Sequence, residues 1–599
     1  MESAVVLQIY RDRVEQQQAL EAARNRQHAL LGNSRLAVAA AAALVAWSAF
    51  GARAISPIWL GIPLVIYIGL AVWHDRVLQA RRRASRTIAF YQRGIARLTE
   101  SWQGAGEEGT RFGTPDHPYQ ADLDLFGRGS LFQLLSTARV RAGEETLARW
   151  LLAPAPPAEV RSRQEAVREL TPRLDLREQL AIVGEDVAAG VHPELLVSWG
   201  TAPAMPVAAW ERYGARLLSL STVVLLIIWF GWNVAAPAAV VALLLELVFA
   251  LRARSGVHAI LESAEEPAHD LTLLSGVLAL FEAQSFESDK LRSLRTALDE
   301  TGQPASRRIA QLQRLIDLTE SRHNQFFAPI AAVLLWATQC AFALERWRNH
   351  SGRHLSVWLD VIGQFEALCS LASHAYEHPD DTFPGLVVTE TLFDAEGLAH
   401  PLIAESRAVR NDVRLGSDRK LLVVSGSNMS GKSTLLRAVG VNAVLALAGA
   451  PVRARRLTLS PLAIGASLRI VDSLQAGKSR FYAEITRLRA IVTLTAGPLP
   501  VLFLLDELLS GTNSHDRRIG AEAIVRALLE RNAIGLLTTH DLALAAIADL
   551  LAPVADNVHF ADAFDAGGLT FDYKMRPGVV KTSNALALMR AVGLEVGQG

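Results

Sequence analysis

Residues 421–434 read LLVVSGSNMSGKST, and few folds accept such a stretch. Four apolar residues lead into Ser425, a Gly/Ser-rich loop runs from Gly426 to Gly431, and an apolar helical pattern opens at Lys432. Strand, tight loop and helix in that order fit G-x-x-x-x-G-K-[ST]. The glycines let backbone N–H groups turn towards a phosphate, and the helix adds the positive end of its dipole. The pattern assigns Gly426, Ser427, Asn428, Met429, Ser430, Gly431 and Thr434 to the phosphate cradle. Lys432 would reach the β- and γ-phosphates, and the Ser433 hydroxyl would hold Mg²⁺. ATP with Mg²⁺ is the ligand pair that this chemistry implies.

The βα alternation continues on both sides. From about residue 385 onward, short apolar runs at 421–424, 501–505 and 534–538 alternate with helical segments, the pattern of a parallel sheet covered by helices. The run at 501–505 ends in Asp506-Glu507. After a phosphate loop, such a pair supports Mg²⁺ through Asp506 and polarises the attacking water through Glu507. The run at 534–538 leads to Thr539-His540-Asp541. A histidine just past a strand end lies on the ligand side of such a sheet, so His540 is placed to sense the γ-phosphate or orient water.

The remainder of the chain is helical and unusually apolar. Its 599 residues exceed one core, so several domains are expected, and half of them are apolar. Sixty basic and sixty acidic residues leave a formal net charge of zero, so no global basic field draws the chain to nucleic acid. Two cysteines, Cys340 and Cys369, offer neither a disulfide framework nor a Cys-rich zinc site and read as buried thiols.

Residues 3–32 read as an amphipathic helix closed by Gly32. Two uncharged runs follow, 36–52 and 54–73, each close to the roughly 20 residues that span a bilayer, with a turn at 53–57. A signal peptide is disfavoured, because the polar stretch before the first run is far too long. A second uncharged region suits two spans, 217–232 and 236–251, broken near Asn233 and Pro237. Glu246 lies within the second span, where the neighbouring LLLELVFAL can outweigh its insertion cost. Arginines flank both hairpins, among them Arg24, Arg26, Arg35, Arg81, Arg82 and Arg83 around the first and Arg212, Arg216, Arg252 and Arg254 around the second. The positive-inside rule then predicts a multi-pass membrane protein of four spans, with both termini and the ATPase domain in the cytoplasm. A third uncharged run, 326–344, contains Thr338 and Gln339 and is read as a buried helix of the soluble core.

GSNMSGKST, LLDELLSGTNSHD and TTHD, in this order, resemble the MutS family, whose ATPase is similar to that of ABC proteins. His400-Pro401 followed by Asn411-Asp412, residues 479–484 (SRFYAE) and residues 122–154 (DLDLFGRGSLF…) resemble further family segments. The resemblance implies an α + α/β protein: a helical MutS-like core and lever with a C-terminal ABC-type P-loop ATPase. It implies a homodimer in which Ser479 reaches the partner's nucleotide, and roles for Lys432, Glu507 and His540 in catalysis. The organisation expected is an amphipathic helix at 1–33, a membrane hairpin at 34–75 and a helical core at 76–215. A second hairpin at 216–252 would stand in place of the family's DNA clamp, followed by a helical lever at 253–384 and the ATPase at 385–599.

Some residues depart from the family pattern. The Phe-x-Glu wedge with which mismatch readers probe DNA occurs nowhere in the sequence, Arg480 replaces the usual Thr, and residues 509–513 read LSGTN. The expected function is a membrane-anchored MutS-like ATPase, with DNA-binding and mismatch repair implied by the resemblance and DNA as a further partner. An ABC-type transport ATPase is the alternative, although no LSGGQ-like signature precedes Asp506. A nucleotide-switched membrane scaffold is the third.

Overall fold

A computed structural model describes residues 2–187, 192–205, 209–234, 236–299, 302–321, 324–427, 429–469, 480–509, 512–565 and 568–580. Two compact units emerge. The first comprises Met1–Ser136, Leu147–Ile182 and Leu368–Gly599, and the second Thr137–Thr146 and Val183–Ala367.

The first unit contains two sheets. In chain order the strands are β1 (Gly385–Leu386), β2 (Phe393–Leu398), β3 (Asn411–Leu415), β4 (Leu421–Ser425), β5 (Arg456–Leu459), β6 (Ala463–Ser467), β7 (Val501–Asp506), β8 (Ile534–Thr539), β9 (Ala555–Asp565) and β10 (Gly568–Pro577). The smaller sheet has the order β1-β5-β2-β3 and the larger β10-β9-β4-β8-β7-β6. In the larger sheet every pair is parallel except β9–β10. β4 is buried along its whole length and β7 in all but its last residue. Both faces of these strands are covered, so the sequence shows continuous apolar runs without alternation. The helix Lys432–Ala448 is buried on nearly every side, as its evenly distributed apolar residues require.

Gly535 in β8 lies opposite Phe503 of β7. A Cβ there would collide with the Phe503 carbonyl oxygen and ring. Backbone cannot move aside as a side chain can, so Gly535→Ala is expected to destabilise the fold by more than the 1–3 kcal/mol typical of overpacking, about 3 kcal/mol or above. A thermal melt of the purified variant checks this.

The first unit also carries a long helical hairpin. The helix Glu2–Ala46 ends in a π turn, Trp47–Gly51, and the chain returns through a 3₁₀ turn, Pro57–Leu60, into the helix Gly61–Leu98. Tyr10 packs on Tyr91 at 5.3 Å, His28 bonds His74 at 2.7 Å, and Arg35 donates to the Tyr67 hydroxyl at 2.9 Å. Each step up one helix is thus a step down the other, the mark of an antiparallel pair. The predicted turn at 53–57 is present, with Arg53 in the left-handed region at φ 52°. The predicted helix end at Gly32 is not. The helix runs through Gly32, where no neighbour lies within 4 Å of a Cβ position. A mid-helix glycine costs only about 1 kcal/mol, less than the hydrogen bonds lost by breaking a helix of this length.

The second unit is helical among its described residues. A break that includes Asn233, at φ 56°, separates the helices Ala209–Trp232 and Ala236–Glu282. The predicted break is therefore observed, and Pro237 falls in the first turn of the second helix, where proline is tolerated. The run 326–344 differs from the single helix predicted. It forms Ala328–Val333 and Trp336–Ser351, broken at Leu335, whose φ is 45°. Thr338, Cys340, Ala341 and Leu344 are buried as predicted, whereas Phe326 is 91% exposed. Arg348, itself buried, donates to the carbonyls of Trp199, Ala202 and Pro203 at 3.0–3.1 Å and pairs with Glu345. It thereby caps the helix Pro193–Thr201.

Five helical stretches among the described residues are long and apolar enough to cross a membrane by length and composition. In Ser3–Gly51, Pro57–Leu98, Trp210–Trp232 and Ala236–Glu282 only 6–17% of the most apolar window is buried. In Trp336–Glu377 the figure is 78%, that of a core element. Residues 117–130, read as helical from sequence, are turns. Buried Asp122 organises them, accepting the N–H groups of Leu468 and Arg469 at 2.7 and 2.8 Å and pairing with Arg487 at 2.8 Å.

Candidate nucleotide-binding site

Three segments far apart in the chain meet at one edge of the larger sheet. β4, β8 and β7 are consecutive parallel neighbours, so their carboxyl ends open on the same side. Residues 426–431 follow β4, His540 follows β8, and Asp506 ends β7 with Glu507 directly after it. That edge is where ligands bind in open α/β sheets.

The loop after β4 turns through Gly426 at φ 154°, Met429 at φ 71° and Gly431 at φ 102°. A Cβ at Gly426 would press on Ser430 Oγ at 2.7 Å, so glycine is required on steric grounds as well. Lys432 then starts its helix, and its Nζ donates to the carbonyls of Gly426 at 2.8 Å and Ser427 at 2.7 Å. Burial lowers the Lys432 pKa, and the nearby Glu507 and Asp506 carboxylates act against that shift. The hydroxyls of Ser427 and Ser430 are buried without a hydrogen-bond partner. Unsatisfied buried donors are costly. Here they sit beside a helix N-terminus and a lysine, so this donor set fits a bound phosphate.

Asp506 ends β7, and the Thr538 hydroxyl of β8 donates to its carboxylate. The same hydroxyl accepts the Glu507 N–H at 3.2 Å, so one threonine orients both acids. Glu507 is held at φ 49°, a left-handed conformation that costs a non-glycine residue on the order of 1–3 kcal/mol and clusters at functional sites. Its Oε1 lies 3.2 Å from His540 Nδ1. Glu507 and His540 remain 37% and 49% exposed, so water reaches both. Buried Glu484 accepts the Leu509 N–H, which fixes the loop after Glu507.

These groups open onto a cavity of about 1000 Å³. Met429, Gly431, Lys432, Ser433, Thr434, Asp506 and Glu507 line it, together with His400, Asn411, Phe571 and Tyr573. Burial pushes His400 down to about 4, and its neutral ring accepts the Leu402 N–H at 3.1 Å. Asn428 and Ser479, both predicted to contact nucleotide, lie outside the described residues. The structure therefore brings together Lys432, Ser433, Thr434, Asp506, Glu507 and His540, as predicted from the spacing of their motifs.

Tyr573 was not predicted. The β9–β10 pairing shifts between Phe571 and Met575, and Tyr573 bulges there with φ 52°. Asn411 holds the bulge from both sides: its Nδ2 donates to the Tyr573 carbonyl at 3.0 Å and its Oδ1 accepts the Met575 N–H at 2.8 Å. The Tyr573 ring reaches to 3.1 Å from a Cβ position at Gly431 and stacks with Phe571 at 5.9 Å. No local sequence signal marks this aromatic wall, because it arises from a bulge more than 130 residues after the loop it faces. Asn411→Ala is expected to release the bulge and weaken nucleotide binding about tenfold, the effect of losing roughly one or two hydrogen bonds. Equilibrium titration with a fluorescent ATP analogue measures this.

Residues 422–596 match the family model for MutS domain V. Among curated relatives, the "DNA mismatch repair protein MutS 2" of Halobacterium salinarum is 36% identical across 39% of this chain and 26% of its own length. The "DNA mismatch repair protein MutS" of Natronomonas pharaonis is 33% identical across 39% of this chain and 27% of its own length. The chain thus covers about a quarter of the length of either relative.

Proposed function

The chain belongs to the MutS family, and from that premise we propose that it is a membrane-anchored ATPase that works as a homodimer. The observation that carries the ATPase reading is the convergence of Lys432, Asp506, Glu507 and His540 at one sheet edge, around two unpartnered serine hydroxyls. Lys432 and the N–H groups at the start of its helix would hold the β- and γ-phosphates of ATP. The Ser433 hydroxyl and the Asp506 carboxylate would hold Mg²⁺, which supplies charge neutralisation on the phosphates. Glu507, aimed by Thr538 and bonded to His540, would take the proton of the attacking water. Tyr573 and Phe571 offer an aromatic surface for the nucleobase.

The anchoring reading rests on the four apolar helical stretches with little burial. Trp47, Ile58, Leu64 and Val65 are among the exposed residues of the first hairpin, and Leu217, Phe230 and Val248 of the second. Exposed apolar surface of this extent marks a membrane or protein interaction surface, and the span-length helices favour the membrane. The flanking arginines support a cytoplasmic position for the ATPase. The resemblance to the MutS family supports dimerisation through Ser479, and the names of the relatives support DNA binding.

The test is ATP turnover by detergent-extracted full-length protein, alone and with homoduplex, mismatched or branched DNA over a range of salt. Turnover that requires Mg²⁺ supports the ATPase, and stimulation by one DNA form identifies that DNA as the partner. Absence of turnover under every condition sinks the enzymatic reading.

A further inference from the structure

The helix Leu355–Glu377 ends beside a cluster that the nucleotide site does not use. His374 is in its last turn, His378 follows one turn later, and Asp381 comes three residues after that. The helical bond from His378 N–H to the His374 carbonyl, at 3.0 Å, persists past the helix end, so the two rings lie on one face, tilted by 38° with centroids 4.4 Å apart. One potential ligand atom from each of the three residues lies within 4.8 Å of the other two.

The hydrogen bonding of this cluster is incomplete. His374 and Asp381 have side chains 2% and 3% exposed, yet His374 Nε2 and Asp381 Oδ2 have no hydrogen-bond partner. They face each other at 3.7 Å, too far to bond. Two buried polar atoms left this way carry a desolvation cost that native interiors avoid. The remaining contacts are those of a ligand set. His378 Nδ1 lies 3.1 Å from the His374 carbonyl, so it carries the proton and leaves the Nε2 lone pair available. A backbone carbonyl in that position is the usual outer-shell partner of a metal-bound imidazole. Asp381 turns its other oxygen, Oδ1, to Arg453 Nε at 3.5 Å, which holds the carboxylate and leaves Oδ2 open.

We propose that His374, His378 and Asp381 bind a divalent transition-metal ion, Zn²⁺ in the first instance, at a site separate from the nucleotide cavity. Two imidazoles and one carboxylate with a fourth position open form a tetrahedral Zn²⁺ donor set, whereas Mg²⁺ and Ca²⁺ require mostly oxygen. Bonds of about 2.0–2.2 Å set ligand atoms roughly 3.3–3.5 Å apart, so the 3.7 Å gap closes with a shift of a few tenths of an ångström. The ion would tie the end of the helix Leu355–Glu377 to the segment that enters the smaller sheet, next to the Thr382–Val452 bridge.

The test uses full-length protein in detergent, stripped with EDTA and dialysed. Zn²⁺ is titrated in competition with a chromophoric chelator, and Co²⁺ is titrated with visible absorption as the readout. One Zn²⁺ equivalent is expected, with the intense d–d bands of four- or five-coordinate Co²⁺. His378→Ala and Asp381→Asn should each weaken Zn²⁺ binding at least about tenfold, while His28→Ala on the hairpin should leave it unchanged. No stoichiometric Zn²⁺ in the wild-type protein, or full retention in both ligand variants, overturns the site. If those variants fail to fold, the wild-type Co²⁺ spectrum decides, and weak six-coordinate bands or none would overturn it.

Discussion

Replacing Glu507 by Gln is expected to lower ATP turnover by about 10²–10⁴-fold while leaving nucleotide affinity within a few-fold of wild type. The carboxamide is nearly isosteric and keeps an oxygen opposite His540 Nδ1, 3.2 Å away in the wild type. The backbone is held separately, by the Glu507 N–H on the Thr538 hydroxyl. Loop shape should therefore survive and only the proton acceptor is lost. The measurement pairs steady-state phosphate release with a binding titration. Equal loss of binding and turnover would point to a damaged loop, and undiminished turnover would remove Glu507 from the catalytic role.

The largest stability effect is expected at Glu377. Its side chain is fully buried and takes a two-pronged pair from Arg97, with Nε and Nη2 each at 2.6 Å, plus the Tyr10 hydroxyl at 3.3 Å. Burial works against the Arg97 charge, and Glu377 more than restores it. Burial also raises the Tyr10 pKa well above its ordinary value, with Glu377 adding to the shift. Glu377→Ala leaves a buried guanidinium without its anion, a loss of about 3–5 kcal/mol. The double change Arg97→Met with Glu377→Leu removes both charges and should recover most of that loss. Thermal unfolding of the detergent-solubilised variants tests the pair. Similar melting temperatures for the single and double variants would show that packing, not charge, sets the stability there.

These two sites differ in how far the sequence discloses them. The loop after β4, the acids ending β7 and the histidine after β8 are each encoded within a few consecutive residues. Local order was enough to predict them, and the parallel sheet then brings them into register. Tyr573 and the Arg97–Glu377 pair depend on contacts spanning more than a hundred residues, which no local pattern carries. His374 and His378 do have helical spacing, but only the fold brings Asp381 beside them. The hairpin turns were legible from Arg53 and Pro57 in the first and from Asn233 and Pro237 in the second. The continuity through Gly32 was not, because glycine signals a helix end only when the chain has another place to go. The run 326–344 misled by composition alone: it is apolar enough for one helix, yet Leu335 breaks it.

The measurement that bears most directly on a MutS-type ATPase held at a bilayer is flotation of the full-length chain made in the presence of liposomes, after washing with high salt and alkaline carbonate. Four embedded spans predict that the protein stays with the vesicles at the top of the density gradient. Its release into the aqueous fractions by the alkaline wash would contradict membrane anchoring.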